Sequence, residues 1–280
     1  MTRPEEEPLP CPHCAATAAA EQRKRTALGY RTFRCPHCRR TFNERTGTPF
    51  NHVQVPTDIV LLVVLWRLRD KRRLRDLAEL FLERGFVFTQ ETVRDGEARF
   101  APLLAAQLRA KRRGTAGPKW HADETDGKVN GQWCSLYRAI DRAGHLVDAR
   151  LSATRDMDAA QRFFRRARAL AGATPEQVTT DGHDAYPRAI RETLGDGVAH
   201  RCRRDTNKRI AHDHRGLKQR YYPMRGFGSF AAAARFCTGF EEHRQYCRAQ
   251  ARSGAFVSLA ERRRRFQDRW AAVLAALTAA

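Results

Sequence analysis

A chain of 280 residues with 52 Lys and Arg against 31 Asp and Glu carries a formal net charge of +21, a field that attracts polyanions over about a Debye length. Coding bias accounts for the choice of Arg over Lys, seven of the basic residues being Lys, but not for the excess over acids, so nucleic acid is the expected partner. The longest apolar run, IVLLVVLW at 59–66, is too short to span a bilayer and the acidic, Pro-rich start is no signal sequence; the expectation is a cytoplasmic, nucleoid-associated protein with no membrane partner.

Cys11 and Cys14, then Cys35 and Cys38, form a C-x2-C, x20, C-x2-C pattern. Each pair can wrap one edge of a tetrahedral ion through a tight knuckle, with a short hairpin between, and a closed four-thiolate site is structural. Zinc is therefore expected to supply folding energy that so short a segment cannot obtain from burial. An iron site or a redox pair finds no support in neighbouring motifs. His13 and His37 lie inside the knuckles and are expected outside the ligand set, while RKR at 23–25 and RTFR at 31–34 suit a phosphate backbone. Residues 1–50 are read as a zinc ribbon.

From Thr57 to Arg113 the periodicity becomes helical. Asp76, Leu77, Leu80 and Phe81 share 3.6-residue spacing, Gly85 stops that helix and Thr89 caps the next. A longer helix followed by two joined by a tight turn predicts a helix-turn-helix over 51–113, its second helix near 90–100 entering the major groove with Arg94 and Arg99 as DNA contacts. Gly96 weakens that helix and Pro102 is expected to break it or to start another. The alternative is an ordinary helical linker domain. KRRGTAGPK at 111–119 reads as a basic linker.

Beyond it, WHADETDGKV, QWCSLYRAID and HLVDARLSA are strand-like runs separated by turns at Gly131 and Gly144. A helix over DAAQRFFRRARALAG, a strand at EQVTTDG, a helix at AYPRAIRETLG, a strand at VAHRCRR and the basic helix NKRIAHDHRGLK follow. This is the order of an RNase H-like α/β core, a mixed five-stranded sheet with flanking helices, expected over 114–250. Asp123 on its first strand and Asp181 at the end of its fourth fall where such a fold places Mg²⁺ ligands. Two ions held by hard carboxylate oxygens can activate an attacking oxygen and stabilise a leaving one in phosphodiester chemistry.

With RTGTPFNH at 45–52, LRDLAELFLERGFVFTQETVR, the DET run, LYRAIDR, RDMDAAQRFF, TTDGHDAYPRAI, DHRGLKQR and PMRGFGSF, the chain resembles the DDE transposases of insertion-sequence family 6, in the branch with an N-terminal zinc ribbon. The resemblance covers residues 11 to about 248. It implies an enzyme that uses Mg²⁺ to cut double-stranded DNA at terminal inverted repeats and to join the 3′ ends to target DNA, acting as a homodimer or higher homo-oligomer. Its first two catalytic acids carry over to Asp123 and Asp181. Its catalytic Glu falls on Ala211, and the chain departs from the family pattern again at Asp126, Gly127 and Lys208.

At about 100° per residue, the helix around Ala211 has a polar face that includes Asn207, Arg215 and Lys218, and an apolar face at Ile210, Leu217, Tyr221 and Met224. Lys218 is expected beside the catalytic acids, and Lys208, Arg209, Arg215 and Lys218 along DNA. Asp213 points away from the 211 direction. His214 lies nearer, although imidazole suits Mg²⁺ poorly, and capping or substrate positioning is the favoured role for both. The copy is thus expected to keep fold and DNA binding with impaired chemistry; the alternative is a non-catalytic, sequence-specific DNA-binding protein derived from a transposase. Residues 251–280 read as a basic C-terminal helix, Ala-rich and solvated.

Overall fold

Two tight knuckles begin the described chain. Ala15 donates its N–H to Cys11 O and Arg39 its N–H to Cys35 O, so the fourth residue after the first Cys of each pair closes the turn. Both take positive φ, 60° and 61°, which a non-glycine residue adopts only where its surroundings hold it there. The computed structural model describes residues 9–70, 72–112, 116–202, 208–224, 226–247 and 257–278, leaving aside the side chains of residues 208, 209, 211–213, 276 and 278. The chain forms two compact units, Met1–Leu62 with Leu274–Ala280, and Val63–Val273.

In the first unit β1 (Ala20–Arg25), β2 (Arg31–Arg34) and β3 (Thr41–Asn43) form an antiparallel meander. Phe33 and Phe42 pair across β2 and β3 and stack with ring centroids 5.5 Å apart, burying with Cys11 and Cys35 the small core that lines the knuckles. The RTGTPFNH run has a structural task. Arg45 is buried, and its guanidinium donates to the carbonyls of Phe50, Val53 and Val55 while lying 5.0 Å from the Tyr30 ring.

Helix α1 (Thr57–Arg69) leads into the second unit, followed by α2 (Leu74–Leu82) and α3 (Gln90–Arg112). Gly85, at φ +82°, ends the α2 turn, with the Phe86 N–H returned to Phe81 O, and the Thr89 hydroxyl accepts the Thr92 N–H at the start of α3. The break expected at Pro102 does not occur: α3 continues for 23 residues. Proline removes one backbone bond from the ladder, but Phe100, Ala101, Leu104, Ala105 and Leu108 are buried on the same helix, which packs along α7 (Phe230–Cys247), and this tertiary burial outweighs the lost bond. Gly239 permits the approach of Leu68 to α7; a Cβ there would meet Leu68 Cδ2 at 3.1 Å.

The sheet comprises β4 (Lys119–Val129), β5 (Gln132–Asp141), β6 (Leu146–Ser152), β7 (Gln177–Thr180) and β8 (Ala199–Cys202), in the order β6-β5-β4-β7-β8. The first three strands are antiparallel and the last two join in parallel, which is the RNase H-like arrangement. Asn130 and Gly131, both at positive φ, make the two-residue turn between β4 and β5. Helices α4 (Met157–Ala171) and α5 (Ala185–Leu194) cover one face, with Trp120, Tyr137, Phe163, Phe164, Tyr186 and Ile190 in one core. Helix α6 (Lys208–Tyr221) lies against β4, and α7 against β6. Strand β4 runs unbroken through Asp126 and Gly127, poor strand formers, with both residues paired to β5 and Ser135 Oγ donating to Asp126 at 2.6 Å. Helix α8 (Leu259–Thr278) closes the described chain; its Arg264 and Arg265 pair with Glu261. No helix among the described residues is long and apolar enough to cross a membrane.

Charge is also buried where periodicity gives no warning. Glu242 accepts from Arg109 Nε at 2.9 Å and from Arg112 at 2.5 and 2.7 Å, Glu241 pairs with Arg138 at 2.9 Å, and Glu97 with Arg67 at 2.7 Å. Such groups are tolerable in low dielectric only when paired. Replacing Glu242 by Ala removes the carboxylate that two guanidinium groups share, and urea denaturation is expected to show a loss of about 3 kcal/mol.

Candidate metal centres

The four cysteine sulfurs lie within 4.8 Å of one another, with Cys11 to Cys38 and Cys14 to Cys35 each 3.6 Å apart. That is far beyond the roughly 2.05 Å of a disulfide and close to the edge of about 3.8 Å of a tetrahedron with 2.3 Å Zn–S bonds. The N–H of Cys38 is the main influence that lowers the Cys35 thiol to about 6. At Cys14 the Ala16 N–H lowers, but burial and the other three thiols together prevail and push it up to about 12. The donor set fits a closed Zn²⁺ site, whereas His13 and His37 are exposed. Purified protein is expected to carry one zinc per chain by elemental analysis, and Cys35→Ser to lose it together with the protease resistance of residues 9–50.

The second centre arises from strand register. Parallel pairing sets Lys119 beside Gln177 and His121 beside Thr179, so the next step of the same register sets Asp123 beside Asp181, just past the last paired residues. Asp181 is half-buried; one of its carboxylate oxygens accepts the His183 N–H, and it is followed by Gly182 at φ +99°. A Cβ at 182 would lie 2.3 Å from Cys202 Sγ, so only glycine lets β8 approach here. A Thr180 to His200 contact of 2.9 Å joins the same strand ends.

A third acid joins them. Asp123, Glu124 and Asp181 each bring a carboxylate oxygen within 4.8 Å of the others. Successive strand residues face opposite ways, so Glu124 reaches the cluster from the α5 side, where its side chain is 2% exposed. Arg155 donates to Glu124 Oε1 through Nε at 2.7 Å and through Nη2, and Tyr186 donates its hydroxyl to Oε2. Arg155 also stands 3.5 Å from Asp126. Burial, then the charges of Glu124 and Asp181, raises Asp123 to about 7. The Tyr186 hydroxyl is raised well above its usual range, by burial first and by Glu124 next.

From the other side, α6 brings buried His214 to 3.9 Å of Asp123, Nδ1 to Oδ2. Ile210, Leu217 and Met224 are buried and Tyr221 half-buried, as the helical wheel requires. Position 211 precedes His214 by three residues, about 60° around the helix. Arg215 and Lys218 are exposed, with Lys218 beside Thr125 and Asp126 at the mouth of a pocket. The side chains of Lys208, Arg209 and Asp213, and all of Asn207, lie outside the described residues. Arg94 and Arg99 are exposed on α3, Arg94 beside Glu91 and Arg99 against Phe100. Sequence reasoning found Asp123 and Asp181 but missed Glu124, Arg155 and Tyr186. The adjacency of Asp and Glu in ADET was the available signal, although neighbours on a strand alternate between its faces.

With Asp123 at about 7, the folded protein keeps a proton there that the unfolded chain releases near 4. The native state therefore binds more protons between about pH 4 and 7, and the stability linked to neutral Asp123 is lost as pH rises through 7. Denaturation without added divalent ions is expected to show wild type falling relative to Asp123→Asn between about pH 4 and 7 and levelling off above it, by roughly 2 kcal/mol after allowance for partial exposure.

A DDE domain matches residues 117–250. The transposase for insertion sequence-like element IS431mec of Staphylococcus aureus strain Mu50 is 33% identical over 175 residues, 61% of this chain and 77% of that protein. The transposase for insertion sequence element IS257 in transposon Tn4003 of S. aureus has the same identity and coverage. Among solved structures, the HTLV-2 integrase catalytic core domain in complex with magnesium overlaps 51% of this chain and 93% of that one, at 12% identity and a TM-score of 0.37. The fold rests on the strand order above rather than on that partial overlap.

Proposed function

Because the chain belongs to the insertion-sequence family 6 DDE transposases, we propose that it binds the terminal inverted repeats of its own element and is built to cut there and transfer the 3′ ends to target DNA. The observation that carries this reading is the convergence of Asp123, Glu124 and Asp181 where β4 and β7 part. Their donors are hard carboxylate oxygens, the set that suits Mg²⁺. When bound, a pair of such ions activates the attacking oxygen and stabilises the leaving one.

In this reading Asp123 and Asp181 are the acids that hold Mg²⁺, and the four cysteines hold structural Zn²⁺. His214 orients Asp123 from the α6 side. Lys218 stands by the catalytic acids, and Arg215, Lys218, Lys208 and Arg209 follow the DNA backbone, with Arg94 and Arg99 contacting DNA from the α2–α3 helix-turn-helix. The working division is a zinc ribbon over 1–50, a DNA-binding domain over 51–113, a catalytic domain over 114–250 and a basic tail over 251–280. A homodimer or higher homo-oligomer at the nucleoid suits an activity that handles two DNA ends.

Alanine at 211 supplies no oxygen from α6, so this copy keeps the binding apparatus with impaired chemistry. The same residue favours the second reading, a transposase-derived protein that occupies DNA ends without cutting them. A strand-transfer assay on duplexes carrying candidate terminal inverted repeats, run beside fluorescence anisotropy on the same duplexes, separates these outcomes. Both the native chain and Ala211→Glu are expected to bind, and the variant to join ends at least 100-fold faster. Robust joining by the native chain overturns the impairment, and a failure of both proteins to join favours the binding protein.

A further inference from the structure

Arg155 holds Glu124 in a clamp that DNA is suited to open. Glu124 shares with Asp123 and Asp181 a cluster whose carboxylate oxygens all lie within 4.8 Å of one another, yet both of its oxygens are engaged, Oε1 by Arg155 and Oε2 by Tyr186. The two partners differ in kind. Tyr186 is buried in the α4–α5 core beside Phe164 and His183, and its hydroxyl can orient a carboxylate whether or not a cation is present. Arg155 is 41% exposed, lies one residue before the Asp156 cap of α4, and is shared between Glu124 and Asp126, whose own side chain is 40% exposed. A guanidinium in that position neutralises carboxylate charge that a divalent cation would otherwise compete for, and it is accessible to a phosphate that offers bidentate acceptance in exchange.

We propose that Glu124 is the third metal-holding acid of this chain, approaching from the α5 side in place of the carboxylate that α6 lacks at 211, and that Arg155 releases it by moving onto a DNA phosphate. The proposal rests on the reading of Asp123 and Asp181 as metal ligands and goes beyond it, because it gives a ligand role to an acid outside the three catalytic positions that the resemblance implies and couples metal affinity to DNA. The coupling is a matter of linkage: if phosphate removes Arg155 from Glu124, DNA tightens the metal, and the metal tightens DNA by the same factor. Asp126, 3.5 Å from the same guanidinium, gives Arg155 a second anchor.

The test uses Mn²⁺ as probe and the full-length, zinc-loaded protein. Mn²⁺ binding is followed by electron paramagnetic resonance and calorimetry, and only sites abolished by Asp123→Asn are counted. Glu124→Gln keeps an acceptor for Tyr186 and is expected to weaken Mn²⁺ at least tenfold. Arg155→Gln is expected to tighten it about fivefold without DNA. A duplex carrying the element's end should tighten Mn²⁺ by a similar factor in the native chain and not in Arg155→Gln, which removes the clamp in advance. Mn²⁺ affinity within twofold of native in Glu124→Gln overturns the assignment of Glu124, and an equal DNA effect in native and Arg155→Gln overturns the release. If neither the native chain nor Ala211→Glu binds Mn²⁺ at Asp123, the reading of Asp123 and Asp181 as ligands fails with it. Circular dichroism and thermal melts of each variant separate loss of a ligand from loss of fold.

Discussion

The parallel pairing of β4 with β7 is the constraint on which the rest of the core depends. Hydrogen bonding from Lys119–Gln177 to His121–Thr179 sets the two strands in a register whose next step brings Asp123 and Asp181 together. Nothing local to either acid does this. Burial of Asp123, and after it the charges of Glu124 and Asp181, opposes ionisation there, and the carboxyl holds its proton to about 7. The sheet can impose the contact because its two faces are buried by α4 and α5 on one side and by α6 and α7 on the other, so separating the strands would expose much of the apolar core. The centre is therefore a place where folding energy holds charges closer than they would settle unaided, a condition that a bound cation relieves.

The electrostatics of the remainder run the other way. Against a formal net charge of +21, the interior of the second unit uses its acids to neutralise guanidinium groups: Glu97 on Arg67, Glu241 on Arg138, Glu242 on Arg109 and Arg112. The Arg-rich composition thus has two populations, one paired inside and one left at the surface on α3 and α6. Net charge alone overstates the part of the cationic field that a polyanion can meet, because several of the arginines are already satisfied by carboxylates within the fold.

Much of this was legible in the sequence, for identifiable reasons. The strands of the core carry aromatic and aliphatic residues, their turns contain Gly131 and Gly144, and the α4 helix is amphipathic, so the element order and with it the RNase H-like sheet could be read along the chain. Cysteine spacing revealed the four-sulfur cluster. Pro102 misled because a proline signals local cost, whereas the continuity of α3 is decided by burial against α7, which no local window contains. Glu124 was overlooked for a related reason: alternation assigns it to the opposite face, and only Arg155 and Tyr186, 31 and 62 residues away, bring its carboxylate to the cluster. The ion pairs of α7 are likewise products of tertiary contact.

Arg45 ties the ribbon to the start of α1. Its guanidinium gathers the carbonyls of residues 50, 53 and 55 against Tyr30, and the Tyr30 hydroxyl in turn accepts the Thr57 N–H at 2.9 Å, one of the amides that α1 cannot satisfy from within. The first helix is thereby capped by a residue of the β1–β2 loop rather than by its own neighbours. A cation lost from the cysteine cluster would be felt beyond the knuckles, as fraying at the start of α1, which makes the state of the ribbon a condition for how the next element of the chain begins.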